Sequence, residues 1–182
     1  MIVAPTAIPE VLRLDPTLHT DDRGFFVETW HAGKFRRAGL DWNFVQDNHS
    51  RSVRGTLRGL HYQVERPQGK LVWVVSGEVY DVAVDLRRSA PTFGRWVAVV
   101  LSADNHRQLW VPPGFAHGFY VMSEQADVIY KCTEPYSAPH DRTLRWDDPD
   151  LAITWPISPG ARPLLSDKDA RGHAFAGLDE FA

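Results

Sequence analysis

The sequence predicts an all-β fold of the sandwich or barrel kind, and three observations carry that prediction. Short runs rich in β-branched and aromatic residues recur through the 182 residues, at 25–30, 42–48, 71–76, 79–86, 96–101, 108–111, 115–122 and 127–133. Gly, Pro, Asp or Ser punctuates these runs, as expected of strands joined by turns. Helical periodicity is poor, and the runs do not alternate with amphipathic helices as parallel βαβ units would require.

Taken in order, FFVETW at 25–30 is the first aromatic and β-branched run, and AGKFRRA at 32–38 reads as a short helix. WNFVQDN at 42–48 is the next strand. LVWVVS at 71–76 and VYDVAVDL at 79–86 are dense in Val, and Ser76-Gly77-Glu78 between them reads as a hairpin turn. WVAVVL, QLWV, FAHGFYVM and DVIYKCT complete the series at 96–101, 108–111, 115–122 and 127–133. A second short helix is read at 166–170. From Ser158 onward Pro, Gly and Asp become dense, which predicts a docked tail with short helical turns. No repeat, low-complexity tract or linker interrupts the chain, so residues 1–182 are expected to form a single domain with a sizeable core.

Composition narrows the function classes. Hydrophobic residues make up 43% and charged residues 24%, the balance of an ordinary globular protein. A formal net charge of −3 argues against a nucleic-acid binder, which would be basic. The single cysteine, Cys132, excludes an intrachain disulfide and fits a reducing compartment. The opening MIVAPTAIPEVL lacks a basic region followed by a sustained apolar stretch. No apolar run approaches the roughly 20 residues of a membrane helix. The expected location is the cytoplasm.

The segment 57–70, LRGLHYQVERPQGK, departs from the packing pattern. A sandwich strand built only to pack alternates hydrophobic-in with polar-out. Here Leu57, Gly59, His61 and Gln63 alternate with Arg58, Leu60 and Tyr62, so polar groups fall on both faces. Such groups are costly to bury without partners, and four in one element are more than an edge strand with solvated heads explains. Gly59 inside the run marks a bulge or a close backbone approach to a ligand.

Pro112-Pro113-Gly114-Phe115-Ala116-His117 has the P-x-G-x-x-H form of the second cupin motif. Cupins are small double-sheet jelly rolls, often with a metal at the mouth. Their first motif supplies two His one residue apart, whereas this chain reads His61-Tyr62-Gln63. His61 and His117 alone are too few to hold a metal, so no metal is expected and His61 is free to act as a base.

The resemblance extends along almost the whole chain. DDRGFFVETW, FVQDNHS, LRGLHYQ, QGKLVWVVSGEVYDVAVDLR, SAPTFGRW, RQLWVPPGFAHGF, YKCTEPYS and RPLLSDKDA, in this order and spacing, resemble the dTDP-4-dehydrorhamnose 3,5-epimerases, metal-free cupin isomerases that need no cofactor. The resemblance implies that His61 is the general base, removing protons from carbons 3 and 5 of a 4-keto-6-deoxy sugar. Both carbons flank the ketone, so each carbanion delocalises onto one oxygen and a single site serves both. An imidazole with a pKa of about 6.5 suits that task.

The resemblance also assigns Asp169 as the partner of His61, although Ser166-x-x-Asp169 taken alone reads as a helix cap. Lys70 is implied as the cation facing the enolate oxygen, where its ordinary reading would be an exposed loop lysine. Tyr130 is implied as the acid on the face opposite the base, where its ordinary reading would be a core aromatic. Arg23, Arg58 and Lys168 match basic positions suited to a pyrophosphate. Glu28, Gln46 and Asn48 match positions associated with the thymidine nucleotide and the sugar, and Gln46 and Asn48 share strand parity. Phe26 and Tyr136 are stacking surfaces for thymine or the sugar ring, and His117 is expected to line the pocket. Asp141 stands where a Glu is common. The family unit is a homodimer whose N-terminal strands add to the partner's sheet, so Arg23 or Glu28 is expected to cross the interface. The rivals are a single-position epimerase, a 3,4-ketoisomerase of the same fold, a metal-dependent cupin oxygenase, and a sugar-nucleotide-binding module without catalysis.

Overall fold

The computed structural model describes residues 1–176 and Leu178. Its strands are β1 (Ile2–Pro5), β2 (Leu12–Asp15), β3 (Leu18–Asp21), β4 (Gly24–Val27), β5 (Gln46–Val53), β6 (Leu57–Gln63), β7 (Lys70–Ser76), β8 (Glu78–Asp85), β9 (Trp96–Ser102), β10 (Gln108–Val111), β11 (Phe115–Val121), β12 (Gln125–Cys132) and β13 (Asp141–Thr143). They form a six-stranded sheet, β1-β2-β10-β7-β12-β5, a five-stranded sheet, β13-β6-β11-β8-β9, and a separate hairpin, β3-β4. Every pairing of named strands is antiparallel. This is the expected double-sheet all-β architecture. Among the described residues no helix is long and apolar enough to cross a membrane.

The central strands look apolar throughout because both of their faces are covered. Between the sheets, Val72 and Val74 of β7, Val79 and Ala83 of β8, Phe115 and Phe119 of β11 and Val128 of β12 form one core. Residues of the other parity face outward. Leu71, Trp73 and Trp110 pack under helix α1 (Ala32–Arg37) and the aromatic residues Trp30, Trp42 and Phe44, with Trp42 stacked on Trp110 at 3.8 Å. Val82, Val84 and Ala116 pack under the C-terminal segment through Leu144, Leu151 and Trp155. The docked tail is thus the lid over one sheet, joined to it by bridges from Leu164 to Thr56 and from His173 to Leu144.

Several local expectations are corrected. The Ser76-Gly77-Glu78 turn is not a hairpin, because β7 and β8 lie in different sheets. Gly77, at φ +77°, carries the chain round that corner, where a Cβ would lie 2.0 Å from the carbonyl oxygen of Gln125. The polar segment 57–70 is one strand only as far as Gln63, and Lys70 opens the next strand in the opposite sheet. Gly59 (φ +117°) bears out the bulge reading. A Cβ there would lie 2.7 Å from both Gly118 Cα and His117 O, at the register shift between β6 and β11. The run at 42–48 enters strand geometry only at Gln46, since Trp42 and Phe44 are drawn into the aromatic cover. The second short helix is a single 3₁₀ turn, Asp169–Arg171.

Candidate active site

At one end of the space between the sheets, the inward positions turn from apolar to polar. Strand alternation places Lys70 in line with Val72 and Val74, Asp81 between Val79 and Ala83, His117 between Phe115 and Phe119, and Tyr130 and Cys132 beyond Val128. On β5 the inner row is Gln46, Asn48, Ser50 and Ser52, whereas the alternate residues are exposed. These side chains surround a cleft of about 270 Å³ lined by Gln46, Asn48, His61, Tyr62, Gln63, Gln68, Lys70, Tyr130, Cys132, Tyr136, Asp141 and Lys168.

His61 stands on the wall of this cleft, with Nε2 2.6 Å from Oδ1 of Asp169. The carboxylate is almost entirely buried while the imidazole is about one-third exposed (5% and 32%). Asp169 is fixed in turn by the Ser166 hydroxyl, which donates to Oδ2 at 2.8 Å and accepts the Asp169 N–H at 3.1 Å. Ser166 and Asp169 therefore do bond to each other, although the 3₁₀ turn itself is capped at Lys168 without a side-chain bond, and the contact aims the carboxylate at the imidazole. Burial alone would raise the Asp169 pKa. Hydrogen bonds from His61, Ser166 and the Gly59 N–H outweigh it and hold the group below the usual carboxylate value. Burial lowers the His61 pKa, an effect only partly offset by Asp169, so the ring is neutral near pH 7. A carboxylate at Nε2 keeps the proton on that nitrogen and leaves the Nδ1 lone pair as a base.

Facing His61 from the other sheet are Lys70 and Tyr130. The Lys70 ammonium is buried, and its one hydrogen bond among the described residues is a long contact of 3.5 Å to the His61 carbonyl. Burial lowers its pKa, with weaker opposing attraction from Cys132, Asp141 and Asp81. A buried cation short of direct counter-charges is preorganised for an anion that develops beside it. Tyr130 packs its ring against the core while its hydroxyl makes no hydrogen bond among the described residues. Burial raises its pKa, which keeps the phenol protonated as an acid must be.

His117 corrects one expectation. It is adjacent to His61 in register, but its Nε2 lies 2.8 and 3.0 Å from the two carboxylate oxygens of Asp81, and it does not line the cleft. The pair is buried, and the Asp81 carboxylate acts on the charge of Lys70. Among the described residues no group of three or more His, Cys, Asp or Glu is placed to hold a metal.

The family model for dTDP-4-dehydrorhamnose 3,5-epimerase matches residues 5–177. This chain belongs to that family. A dTDP-4-dehydrorhamnose 3,5-epimerase of Pseudomonas aeruginosa is 55% identical over 176 residues, covering 96% of each chain. The crystal structure of a dTDP-6-deoxy-D-glucose-3,5-epimerase from Legionella pneumophila, in complex with dTDP-4-keto-L-rhamnose, superposes with a TM-score of 0.94 at 49% identity, over 98% of this chain and 94% of that one. A 3'-monoepimerase from Streptomyces bikiniensis in complex with dTDP-quinovose has a TM-score of 0.87 at 35% identity, over 94% and 87% of the two chains.

Of the residues expected in an epimerase site, the cleft gathers Gln46, Asn48, His61, Lys70, Tyr130, Tyr136, Asp141 and Lys168, with Asp169 directly behind His61. Asp141 accepts a hydrogen bond from the Tyr136 hydroxyl at 3.0 Å and pairs with Lys168, so it ties two walls of the mouth together. Arg58 lies outside the lining, donating to Ser52 Oγ at 2.9 Å, yet close enough to Tyr130 to act on its charge. Arg23, Phe26 and Glu28 are not brought to the cleft of their own chain. Arg23 pairs with Asp21, Phe26 is 69% exposed on the β3-β4 hairpin, and Glu28 pairs with Lys34. Sequence reasoning did not place Gln68, Cys132 or Asp81 at the site, and it read Gln63 as a polar group in the place of a metal ligand without giving it a role of its own. Asp81 was signalled by its parity with Val79 and Ala83, a charge at a core-facing position.

Proposed function

We propose that the cleft takes the sugar of dTDP-4-dehydro-6-deoxy-D-glucose and inverts carbons 3 and 5, giving dTDP-4-dehydro-L-rhamnose. The observation that carries the residue assignment is the pairing of opposites across the cleft. A neutral imidazole stands on one sheet, and a protonated phenol with a buried ammonium stands on the other. His61 removes the proton on carbon 3 or 5, and the electron pair of the C–H bond becomes the C=C bond of an enolate whose negative oxygen lies at carbon 4. Lys70 stabilises that oxygen, as an oxyanion donor worth roughly 2.7–4 kcal/mol does. Tyr130 then protonates the same carbon from the opposite face, which inverts it. The imidazolium gives up its proton to solvent, and the phenolate recovers one. Asp169 holds the imidazole tautomer and supports the imidazolium.

Tyr136 at the mouth is the stacking surface for thymine, beside Gln46 and Asn48. Lys168 at the mouth faces the pyrophosphate, with Arg58 just beyond the lining. The chain works as one catalytic unit over residues 1–182 and as a homodimer. Supporting the dimer, the β3-β4 hairpin joins neither large sheet and exposes Phe25 and Phe26, and β5 beside the cleft is an open edge. A partner's hairpin on that edge would bring its Arg23, Phe26 and Glu28 to this cleft. A reducing, cytoplasmic setting accords with the lone Cys132 thiol.

Incubation with dTDP-4-keto-6-deoxyglucose in D₂O tests the reading. Deuterium is expected at both carbons, and His61→Ala is expected to abolish exchange at both while dTDP still binds. General bases contribute about 10²–10⁴-fold, so the loss is unmistakable. Label at carbon 3 alone would make the chain a monoepimerase, and normal exchange in the variant would remove His61 as the base.

A further inference from the structure

We propose that Gln63, which stands where the first cupin motif has a metal-binding His, is a positioning residue that sets nucleotide affinity through the loop carrying Tyr136. The inference rests on the reading of Tyr136 as the nucleotide-stacking surface.

After β12 the chain leaves the sheet, and the backbone of residues 134–137 is held by three glutamine side chains. Gln68 Nε2 donates to the Glu134 carbonyl at 2.8 Å, and Gln63 Nε2 donates to the Pro135 carbonyl at 3.4 Å. Gln46 Oε1 accepts the Tyr136 N–H at 2.8 Å, and Gln63 Oε1 accepts the Ser137 N–H at 2.9 Å. Gln63 also donates to the Arg66 carbonyl at 2.9 Å, so one amide joins the loop after β6 to the loop after β12.

These partners determine the chemistry that the position needs. A backbone N–H requires an acceptor and two backbone carbonyls require donors, and a primary amide offers both on one carbon. Methionine has neither. Glutamate would set a carboxylate oxygen against two carbonyls. Imidazole in its neutral form has one acceptor and only one donor, so it could serve the Ser137 N–H and just one of the two carbonyls. Gln63 is 4% exposed, so its bonds do not compete with water. The Tyr136 ring, by contrast, is more than half exposed and is oriented by its backbone and by Asp141. A stacking surface costs affinity if it must be ordered when the ligand arrives, and the amide clamp orders it beforehand.

The test is calorimetric titration of dTDP into wild type, Gln63→Met, Gln63→Glu, Tyr136→Ala and the Gln63→Met/Tyr136→Ala double variant, together with steady-state kinetics on the full substrate. Loss of the clamp is expected to raise the Kd for dTDP about tenfold, with the loss in KM rather than kcat. The double variant is expected to bind no more weakly than Tyr136→Ala, because the clamp acts through that ring. Wild-type affinity in Gln63→Met, a fall in kcat without one in affinity, or full additivity in the double variant would overturn the proposal. Undiminished binding in Tyr136→Ala would remove the stacking reading and the clamp's role with it. Weakened binding in Tyr136→Ala with none in Gln63→Met would remove the clamp alone. If the Gln63 variants do not fold, Gln68→Met loosens the same loop at Glu134 from a half-buried position, and an unchanged Kd there overturns the proposal.

Discussion

Replacing Asp169 by Asn tests the dyad more sharply than removing His61, because shape is kept and only a charge is lost. An asparagine can still accept from His61 and donate to Ser166, so the ring remains in place. On the proposed mechanism the imidazole becomes an imidazolium during proton abstraction, and in the wild type a carboxylate lies 2.6 Å from it. Two unit charges about 4 Å apart at an effective dielectric of about 20 interact by about 4 kcal/mol, or about three decades in rate. The imidazole is 32% exposed, and solvent screening reduces the effect. The expected loss in kcat is therefore between about thirtyfold and about a thousandfold. The direction of the pH shift is a second readout. His61 already titrates below the ordinary value because of burial, and Asp169 opposes that effect. Removing the anion lowers the pKa further, so the acid limb of log kcat/KM moves to lower pH as activity falls. Deuterium wash-in at both carbons, followed by NMR across the acid range, measures both quantities. Activity within threefold of wild type, or an acid limb that moves upward, would refute the assignment of Asp169 as the anion that supports the base.

Tyr130→Phe keeps the packed ring and is expected to separate exchange from inversion. Label still enters with retention while L-configured product falls by about 10²-fold or more, and inversion at the wild-type rate would return Tyr130 to the core. Gly59→Ala is expected to destabilise the fold by about 3 kcal/mol or more, read by urea denaturation, since φ is +117° and the new methyl meets backbone at 2.7 Å. Turnover after dialysis against EDTA is expected to equal that of untreated enzyme. Loss that one equivalent of zinc, iron or manganese restores would overturn the metal-free mechanism. Stability, read by urea denaturation at a series of acid pH values, is expected to fall as the pH drops from the ordinary carboxylate value to the depressed Asp169 pKa, because over that window the unfolded chain binds a proton that the folded chain excludes.

The strands of the central core were legible because Val, Phe and Trp occupy both faces, as in KLVWVVS of β7, whose first five residues are all buried. β5 was legible only at its start. Its inner row, Gln46, Asn48, Ser50 and Ser52, is polar and its outer row is exposed, so no hydrophobic alternation marks QDNHSRSV as a strand. The short strands β1, β2, β3 and β13 were missed because four residues or fewer carry too little periodicity. The corner at Gly77 was misread for a physical reason. A glycine at positive φ serves a hairpin and a sheet-to-sheet crossing equally well, and the choice is made by which strands pair, a long-range fact.

The proposed catalytic residues were legible as a set only through family resemblance, yet the structure shows a signal that needs no relative. Along each central strand, the inward row that packs the core continues into one chemically unsuited residue toward the same end of the sandwich: Lys70 before Val72, Asp81 between Val79 and Ala83, His117 between Phe115 and Phe119, Tyr130 after Val128. A lone buried charge is a defect that selection has to tolerate. Three buried ionisable groups with a partly buried phenol beside them, on strands from both sheets, are costly together unless they meet one another or a ligand. Asp81 and His117 meet one another, and Lys70 and Tyr130 do not, which leaves the latter two aimed at what enters the cleft. Parity within a strand thus yields candidates, and the division between paired and unpaired members separates candidates for supporting the site from candidates for its chemistry.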